Sequence, residues 1–134
     1  MVEKAIYRIV SSYLGFANVQ VSFGTLPNKT FDGDYIVFYR NSTEPYGTKS
    51  GRSTLDAVSL QFNIYSHSAD QCCLLAETLR GLLDRFSGTT SGIVIQSIEF
   101  TNQNNMFDFN EGVNEKGVYQ MVQFYSIRTD PEYL

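Results

Sequence analysis

The sequence predicts an α+β fold, a mostly antiparallel sheet with two helices packed on one face, in the order α-β-β-β-α-β-β. Three observations support this prediction. Apolar and polar residues alternate along Leu55–Tyr65, as in a strand with one buried face. Apolar residues recur at helical spacing along Cys72–Phe86. The 134 residues, without repeat or linker, fit one domain spanning residues 1–134.

The N-terminal third is predicted to contain one helix and two strands. Helical spacing of apolar residues predicts a helix over Val2–Leu14, ended by a glycine. Alternation within Phe16–Thr25 predicts a short strand, and Pro27–Gly33 has the composition of a loop. Asp34–Asn41 is apolar on both faces, which favours a strand covered on both sides. Ser42–Ser53 lacks periodicity and is predicted to be a long connection between paired strands.

The second helix has the clearest start signal in the chain. Ser68 and Gln71 form a capping-box pattern, and Asp70 lies in the first turn, where the helix dipole favours negative charge. Gly88 is predicted to be the C′ residue that ends the helix. The apolar stripe has short helical steps and consists of Cys72, Leu75, Ala76, Leu79, Leu82, Leu83 and Phe86.

The C-terminal third is predicted to hold two more strands. Gly92–Thr101 and Gly117–Thr129 are rich in β-branched and aromatic residues. Between them, Asn102–Lys116 is polar and acidic, with Phe107 and Phe109 embedded in it. This segment is predicted to be a solvated acidic loop.

Composition excludes some classes of function. The net charge of −4 and a pI near 4.8 argue against a general nucleic-acid binder. Charged residues make up only 18%, and there are ten Phe and nine Tyr, which suits a surface partly covered by neighbours. No apolar run reaches the roughly 18 residues that a membrane span needs, and we expect no signal peptide and no membrane partner. Adjacent Cys72 and Cys73 indicate a reducing compartment.

Residues able to carry catalysis are few. His67 is the single histidine, and with Cys73 it forms a conceivable Cys–His pair, although no orienting group is evident. Cys72 lies on the apolar stripe, so we expect it to pack in the core. No Cys-x-x-Cys or His-x-x-x-His spacing is present, and no phosphate-binding glycine motif precedes a helix. We therefore expect no enzyme activity, catalytic residue, metal or cofactor.

Polar and aromatic residues outside the predicted core are candidates for protein contacts. Basic residues and a tyrosine cluster around the Ser42–Ser53 connection, where they either contact an acidic or phosphate-bearing surface or are solvated. The outward face of Leu55–Tyr65 is a second candidate, and the embedded phenylalanines are a third. The assembly-interface candidates are Arg40, Tyr46, Lys49, Arg52, Gln61, Asn63, Phe107 and Phe109.

One ordered set of segments resembles a known family. The strand Ala57–Tyr65 is followed by the cap Ser-Ala-Asp-Gln, the Leu-rich helix Leu74–Phe86, the strand Gly92–Ile98 and a closing strand Gly117–Tyr125. This order resembles the tail-completion family of long-tailed bacteriophages, which includes tail terminators and tail-to-head joining proteins. The resemblance covers Asp34–Arg128.

The resemblance implies a structural virion protein. Such a protein forms a ring, typically a homohexamer, at the head-proximal end of the tail tube, where it ends tube polymerisation and presents a surface to the head connector. The implied partners are further copies of the chain, the major tail tube protein and the head-closure or connector protein, with DNA only as the passing genome. The protein would be made in the host bacterial cytoplasm and reside at the head–tail junction.

Two alternatives stay open at this point. Another phage neck, head-completion or secretion-machine assembly protein could share the predicted fold. A small enzyme or ligand-binding domain is the other, and substitution of Cys73 and His67 would abolish its activity.

Overall fold

The computed structural model describes residues 2–13, 16, 19–24, 34–45, 56–90, 92–108 and 118–129. Side chains at positions 44, 45, 56, 105–108 and 118 are outside this description. The elements in chain order are α1 (Val2–Ser11), β1 (Gln20–Phe23), β2 (Tyr35–Pro45), β3 (Asp56–Ser66), α2 (Ala69–Leu83), β4 (Gly88–Thr90), β5 (Ile93–Asp108) and β6 (Val118–Thr129).

The described strands form one sheet of six, in the order β1-β2-β3-β6-β5-β4. β1 pairs with β2 in parallel, and every other pair is antiparallel. The end of the sheet where Tyr35 and Tyr65 are aligned is called the upper end here. The end where Asp56 and Thr129 are aligned is called the lower end. The predicted α+β class and mostly antiparallel sheet are confirmed.

Both helices bury their apolar residues against the same face of the sheet. Alternate residues of β3 supply the centre of this covered face, and the registers align Phe62 with Phe38 on one side and Gln123 on the other. The aromatic rings of Phe38 and Phe62 stack with centroids 5.0 Å apart, and Tyr125 meets Phe62 edge-on at 5.3 Å. The residues of this core that are fully buried include Val2, Ile6, Val10, Ile36, Phe38, Leu60, Phe62, Ile64, Leu79, Ile98 and Tyr125.

The second helix starts as predicted and ends earlier than predicted. The Ser68 hydroxyl accepts a hydrogen bond from the backbone N–H of Gln71 at 3.3 Å. The helix ends at Leu83, and Arg85 adopts the left-handed conformation that closes it, with φ of 66°. The prediction of Gly88 as the C′ residue is therefore wrong, because Gly88 already begins β4.

Strand boundaries account for the other differences from the sequence-based prediction. β4 is a short extra strand, so the order is α-β-β-β-α-β-β-β. β5 continues through residues 102–108, where a loop was predicted, since these residues pair along β6. Residues 42–45, predicted to start the long connection, continue β2. The first helix ends at Ser11, and Tyr13 beyond it is exposed.

A buried polar network joins α2, β5 and β6 beneath the core. Gln123 is fully buried, and its side-chain N–H groups donate to the carbonyl of Ala76 at 2.9 Å and to the side chain of Gln103 at 2.8 Å. Its Oε1 accepts from the Tyr125 hydroxyl at 2.7 Å. Because each partner is paired, this network orients α2 on the sheet without leaving a buried polar group unsatisfied.

Candidate assembly surface

The sheet face opposite the helices, called the polar face here, is the candidate site. It carries the alternate residues of each strand, and its composition is dominated by amides, hydroxyls and tyrosines. Its central members, aligned across β2, β3, β6 and β5, are Tyr35, Val37, Tyr39, Ser59, Gln61, Asn63, Tyr65, Gln120, Val122, Phe124, Asn102 and Asn104.

Hydrogen bonds and ring contacts order the side chains of the polar face. Gln61 donates to Asn63 Oδ1 at 3.0 Å, and Gln120 donates to the Tyr65 hydroxyl at 3.2 Å. The rings of Tyr35 and Tyr65 stack with centroids 4.6 Å apart. The predicted outward orientation of Gln61 and Asn63 is thus confirmed, and their role in assembly stays a prediction.

A hollow in the polar face lies beside two β-bulges. One lies in β2 between Arg40 and Ser42, and the other lies in β5 between Phe100 and Asn102, at the same level of the sheet. The hollow has a volume of about 410 Å³. Its lining is amide, hydroxyl and aromatic, from Asn41, Ser42, Ser59, Thr101, Asn102, Phe124, Tyr125 and Ser126. Such an uncharged, hydrogen-bonding surface fits a protein segment better than a phosphate.

Arg40 lies on the covered face, unlike Gln61 and Asn63. Its guanidinium forms an ion pair with Glu3 of α1, with Nε donating to Glu3 Oε1 at 3.0 Å, and Nη1 donates to Thr43 at 2.8 Å. The Glu3 side chain is 8% exposed and that of Arg40 is 24% exposed. Arg40 therefore ties α1 to β2, a structural role that its sequence position did not indicate. A further role in assembly stays a prediction.

The remaining interface candidates are Tyr46, Lys49, Arg52, Phe107 and Phe109. Tyr46, Lys49, Arg52 and Phe109 lie outside the described residues. The backbone of Phe107 pairs with Tyr119 near the end of β5, while its side chain is not described.

A second, charged depression lies at the lower end of the sheet beside the end of α2. Its volume is about 620 Å³, and Asp84, Arg85, Glu99 and Arg128 contribute both signs of charge. Asp84 also accepts a hydrogen bond from the backbone N–H of Phe100 at 3.1 Å. The carboxylate therefore closes a strand edge. Among the described residues that line the depression, no serine hydroxyl is hydrogen-bonded to a carboxylate.

The thiols have the environments that the sequence predicted. Cys72 is buried on the core stripe, and Cys73 is exposed. Burial raises the pKa of the Cys72 thiol to about 11, and its S–H donates to the carbonyls of Ile64 and Tyr119. Cys72 is consequently held in the unreactive protonated form at neutral pH.

Neither a metal-ligand cluster nor a membrane-spanning helix is found in the part of the chain that the structure describes. No group of three or more His, Cys, Asp and Glu side chains among the described residues is placed to hold a metal ion. No described helix is long and apolar enough to cross a membrane.

Several members of the polar face were missed by the sequence analysis. Tyr35, Tyr65 and Gln120 come together only through the register of three strands. The alternation within β3 already placed Tyr65 on the outward face, and the same parity in β6 would have placed Gln120 there.

Comparison with known proteins gives matches at the level of structure alone. No protein-family model matches the sequence, and no curated protein matches it. A chain from the virion of a native gene transfer agent particle has the same fold, with a TM-score of 0.74 and 10% sequence identity, covering 97% of this chain and 95% of that chain. A second solved chain matches with a TM-score of 0.63 and 14% identity, over 98% of this chain and 96% of that one. At these identities the likeness shows a shared fold.

Proposed function

We propose that this protein is a structural virion protein of the tail-completion type. It forms a homo-oligomeric ring, a hexamer by the family resemblance, on the head-proximal end of a phage tail tube. The ring ends polymerisation of the tube protein and offers a surface to the head-closure or connector protein. The protein is not an enzyme in this proposal and uses no cofactor.

The observation that carries the proposal is the whole-length likeness to a chain of a gene transfer agent virion, with a TM-score of 0.74. The likeness includes 97% of the chain, so it concerns the complete arrangement of helices and sheet. The same order of strands and helices underlies the resemblance to tail-completion proteins. The structural likeness and the sequence resemblance both support a virion component.

The polar face supports a role in protein contacts. Stacked tyrosines and paired amides present large, semi-rigid contact areas with adaptable hydrogen bonding, which is the chemistry of protein interfaces. Its central rows, as described, carry no charged side chain. Contact with the tube protein or the connector would then bury little charge, which keeps the desolvation cost low.

The net charge fits DNA as a passing genome. At −4 per chain, a ring of identical copies is strongly negative, so phosphate contacts are unfavourable and the duplex can slide. A lumen lined with Lys and Arg would contradict this part of the proposal.

Deletion of the gene from the phage or particle that encodes it tests the proposal. We expect overlong tails, with heads detached from them, in negative-stain electron micrographs. Expression of the wild-type chain in trans should restore tail length and joined virions.

The outcomes of this deletion separate the candidate roles. Overlong tails support a terminator, and tails of normal length beside unattached heads support a tail-to-head joining protein. Empty or leaking heads would instead indicate a neck or head-completion protein. Normal infectious virions would contradict every form of the proposal.

A further inference from the structure

Each helix has one continuous exposed stripe on the side opposite its buried residues. The stripe of α1 follows helical spacing and consists of Lys4, Tyr7, Arg8 and Ser11. The stripe of α2 has the same spacing and consists of Asp70, Cys73, Leu74, Glu77 and Gly81. These two surfaces are called the α1 stripe and the α2 stripe here.

The two stripes have charges of opposite sign. The α1 stripe is basic, through Lys4 and Arg8, because the acidic residue of this helix, Glu3, is buried in an ion pair on the other side. The α2 stripe is acidic, through Asp70 and Glu77. Among the described residues, no ion pair involves these four exposed charges. Each stripe is therefore electrostatically complementary to the other.

Each stripe also has a large apolar side chain at its centre. Tyr7 is 44% exposed and Leu74 is 56% exposed, which makes them the most exposed large apolar side chains in their helices. In both stripes the charged residues lie within four positions of the apolar one. An apolar centre with a polar rim is the usual anatomy of a protein contact.

We propose that α1 of one copy of this chain packs against α2 of the next copy in the ring, with Tyr7 beside Leu74 and the basic residues beside the acidic ones. The inference rests on the proposed function in one respect, that copies are neighbours in a ring. Because the two stripes differ, the contact is heterologous, and each copy uses one stripe toward each of its two neighbours. Such contacts close into a ring by rotation about an axis.

The spacing of the charges suits this contact. With Tyr7 level with Leu74, each basic residue of the α1 stripe is displaced along the axis by at most about 4.5 Å from an acidic residue of the α2 stripe. This holds for parallel and for antiparallel helices, since all four charges are close to the central apolar residue. The long Lys and Arg side chains cover such a displacement, so two opposite-charge pairs can form in one contact.

A second copy is the occupant that the charges favour, because one chain supplies both complementary surfaces. Contact of a stripe with its own counterpart in another copy would bring like charges together, which disfavours it. Arg80, the basic residue in the last turn of α2, is held over the ring of Phe100, 4.0 Å from the centroid. It lies beside the α2 stripe and not in it, so the stripe itself stays acidic.

Reversal of the charges tests the contact. Lys4→Glu with Arg8→Glu makes both stripes acidic, and the second variant, with Asp70→Lys and Glu77→Lys, makes both stripes basic. Each is expressed in trans in the phage or particle that lacks the wild-type gene. We expect either variant alone to lower the yield of infectious particles by about 100-fold or more, because like charges then meet at every contact.

Co-expression of the two variants should restore the yield, because acidic and basic copies can alternate around the ring. One chain with all four reversals should restore it as well, since its stripes are again opposite in sign. Asp70 is in the first turn of α2, where its reversal opposes the helix dipole, so circular dichroism of each variant measures helix content. Rescue by the partner variant also requires that each chain folds.

The matched controls reverse one exposed charge of each sign outside both stripes. Arg85→Glu and Glu99→Lys change residues that line the charged depression at the lower end of the sheet. We expect each control variant to support the same yield of infectious particles as the wild-type chain.

Cross-linking gives a second measurement that uses a native thiol. Cys73 is exposed in the α2 stripe, whereas Cys72 is buried. Ser11→Cys adds a thiol to the α1 stripe, and a short bis-maleimide is applied to particles that contain this variant. We expect a ladder of covalent species longer than a dimer, because each copy is linked to two neighbours. Cys73→Ser in the same chain should abolish the ladder, and Asn104→Cys on the polar face, in place of Ser11→Cys, should give none.

The possible results are distinguishable. Rescue by co-expression together with the ladder supports the contact. Wild-type yield from either charge-reversed variant alone, failure of the pair to rescue, or absence of the ladder overturns the contact. In these cases the proposed function stands as long as the wild-type gene restores joined virions to the deletion. Normal virions from the deletion itself would overturn both proposals.

Discussion

The two faces of the sheet differ in what their side chains are used for, although they come from the same strands. Along β3, Leu60, Phe62 and Ile64 are fully buried under the helices, whereas Gln61 and Asn63 between them are half-buried on the polar face. The covered face obtains its stability from apolar burial. The polar face keeps amide and tyrosine groups in positions where folding alone would accept almost any strand former.

This difference indicates where stability and function are located. Substitution on the covered face should affect folding first. Substitution on the polar face should affect contacts between proteins first and leave folding nearly unchanged. Val37 and Val122 qualify this division, because they lie on the polar face yet are only 5% and 6% exposed. The polar face therefore contains a small apolar strip among its amides.

The largest difference between the faces is expected for neighbouring residues of β3. Phe62→Ala removes a ring that contacts both Phe38 and Tyr125 and should lower the free energy of unfolding by about 3–5 kcal/mol. Asn63→Ala removes the acceptor for Gln61 and should cost about 1 kcal/mol or less. Urea denaturation of both variants measures the two changes, and equal losses would contradict the division between the faces.

A smaller difference is expected for the same substitution made on both faces. Gln123→Leu leaves the buried Tyr125 hydroxyl without its acceptor and should cost about 2–3 kcal/mol. Gln120→Leu removes a half-buried hydrogen bond to Tyr65 and should cost less than about 1 kcal/mol. Urea denaturation again provides the measurement. A cost for Gln120→Leu as large as that for Gln123→Leu would show that the polar face also contributes strongly to stability.

The ion pair between Glu3 and Arg40 should contribute less to the free energy of unfolding than the buried hydrogen bonds of Gln123. Glu3→Ala leaves Arg40 without its carboxylate, at an expected cost of about 1–2 kcal/mol, since Arg40 is partly exposed and can be hydrated. The control is Glu77→Ala on the exposed side of α2, which should change the free energy of unfolding by about 0.5 kcal/mol at most. If thermal or urea unfolding of the two variants is the same, α1 is not tied to β2 by this pair.

Ionisation of the buried Cys72 thiol should not affect stability at neutral pH. Its effect on the free energy of unfolding should emerge only in alkali. The folded pKa of Cys72 is about 11, above its ordinary value of 9.0, so the unfolded chain releases this proton first as the pH rises. The contribution of the Cys72 thiol to the free energy of unfolding is fully present below pH 9 and is lost between about pH 9 and pH 11. Cys72→Ala should make that decline shallower, measured by urea denaturation across this range.

Cys73→Ala is the control for the alkaline effect. Cys73 is exposed, so its removal should change the alkaline decline far less than removal of Cys72. The same steepness in Cys72→Ala and the wild-type chain would show that Cys72 titrates alike in both states.

Prediction from sequence succeeded where side-chain periodicity follows burial. The alternation of Val58, Leu60, Phe62 and Ile64, and the buried position of Cys72, are confirmed. Prediction was wrong at residues 102–108, because that part of β5 is polar and its strand conformation comes from backbone pairing with β6. Residues 102–105 are Asn, Gln, Asn and Asn, so their local hydrophobicity carries no signal for a strand.

The candidate site was predictable only in part. Gln61 and Asn63 were placed on the outward face by parity along one strand. Arg40 was assigned to the same group, although its partner Glu3 lies in α1, 37 positions earlier in the chain, and no local pattern links the two. The stack of Tyr35 on Tyr65 likewise depends on the register between β2 and β3.

The sequence by itself determined the α+β class, the capped start of α2 and the division of β3 into a buried and an outward side, because each depends on the spacing of residues a few positions apart. Only the tertiary structure decided the order of the strands, the membership of the polar face and the opposite placement of β1 and β4 on the two edges. These features depend on the register between strands that are distant in the chain, and register is set by packing of the whole core.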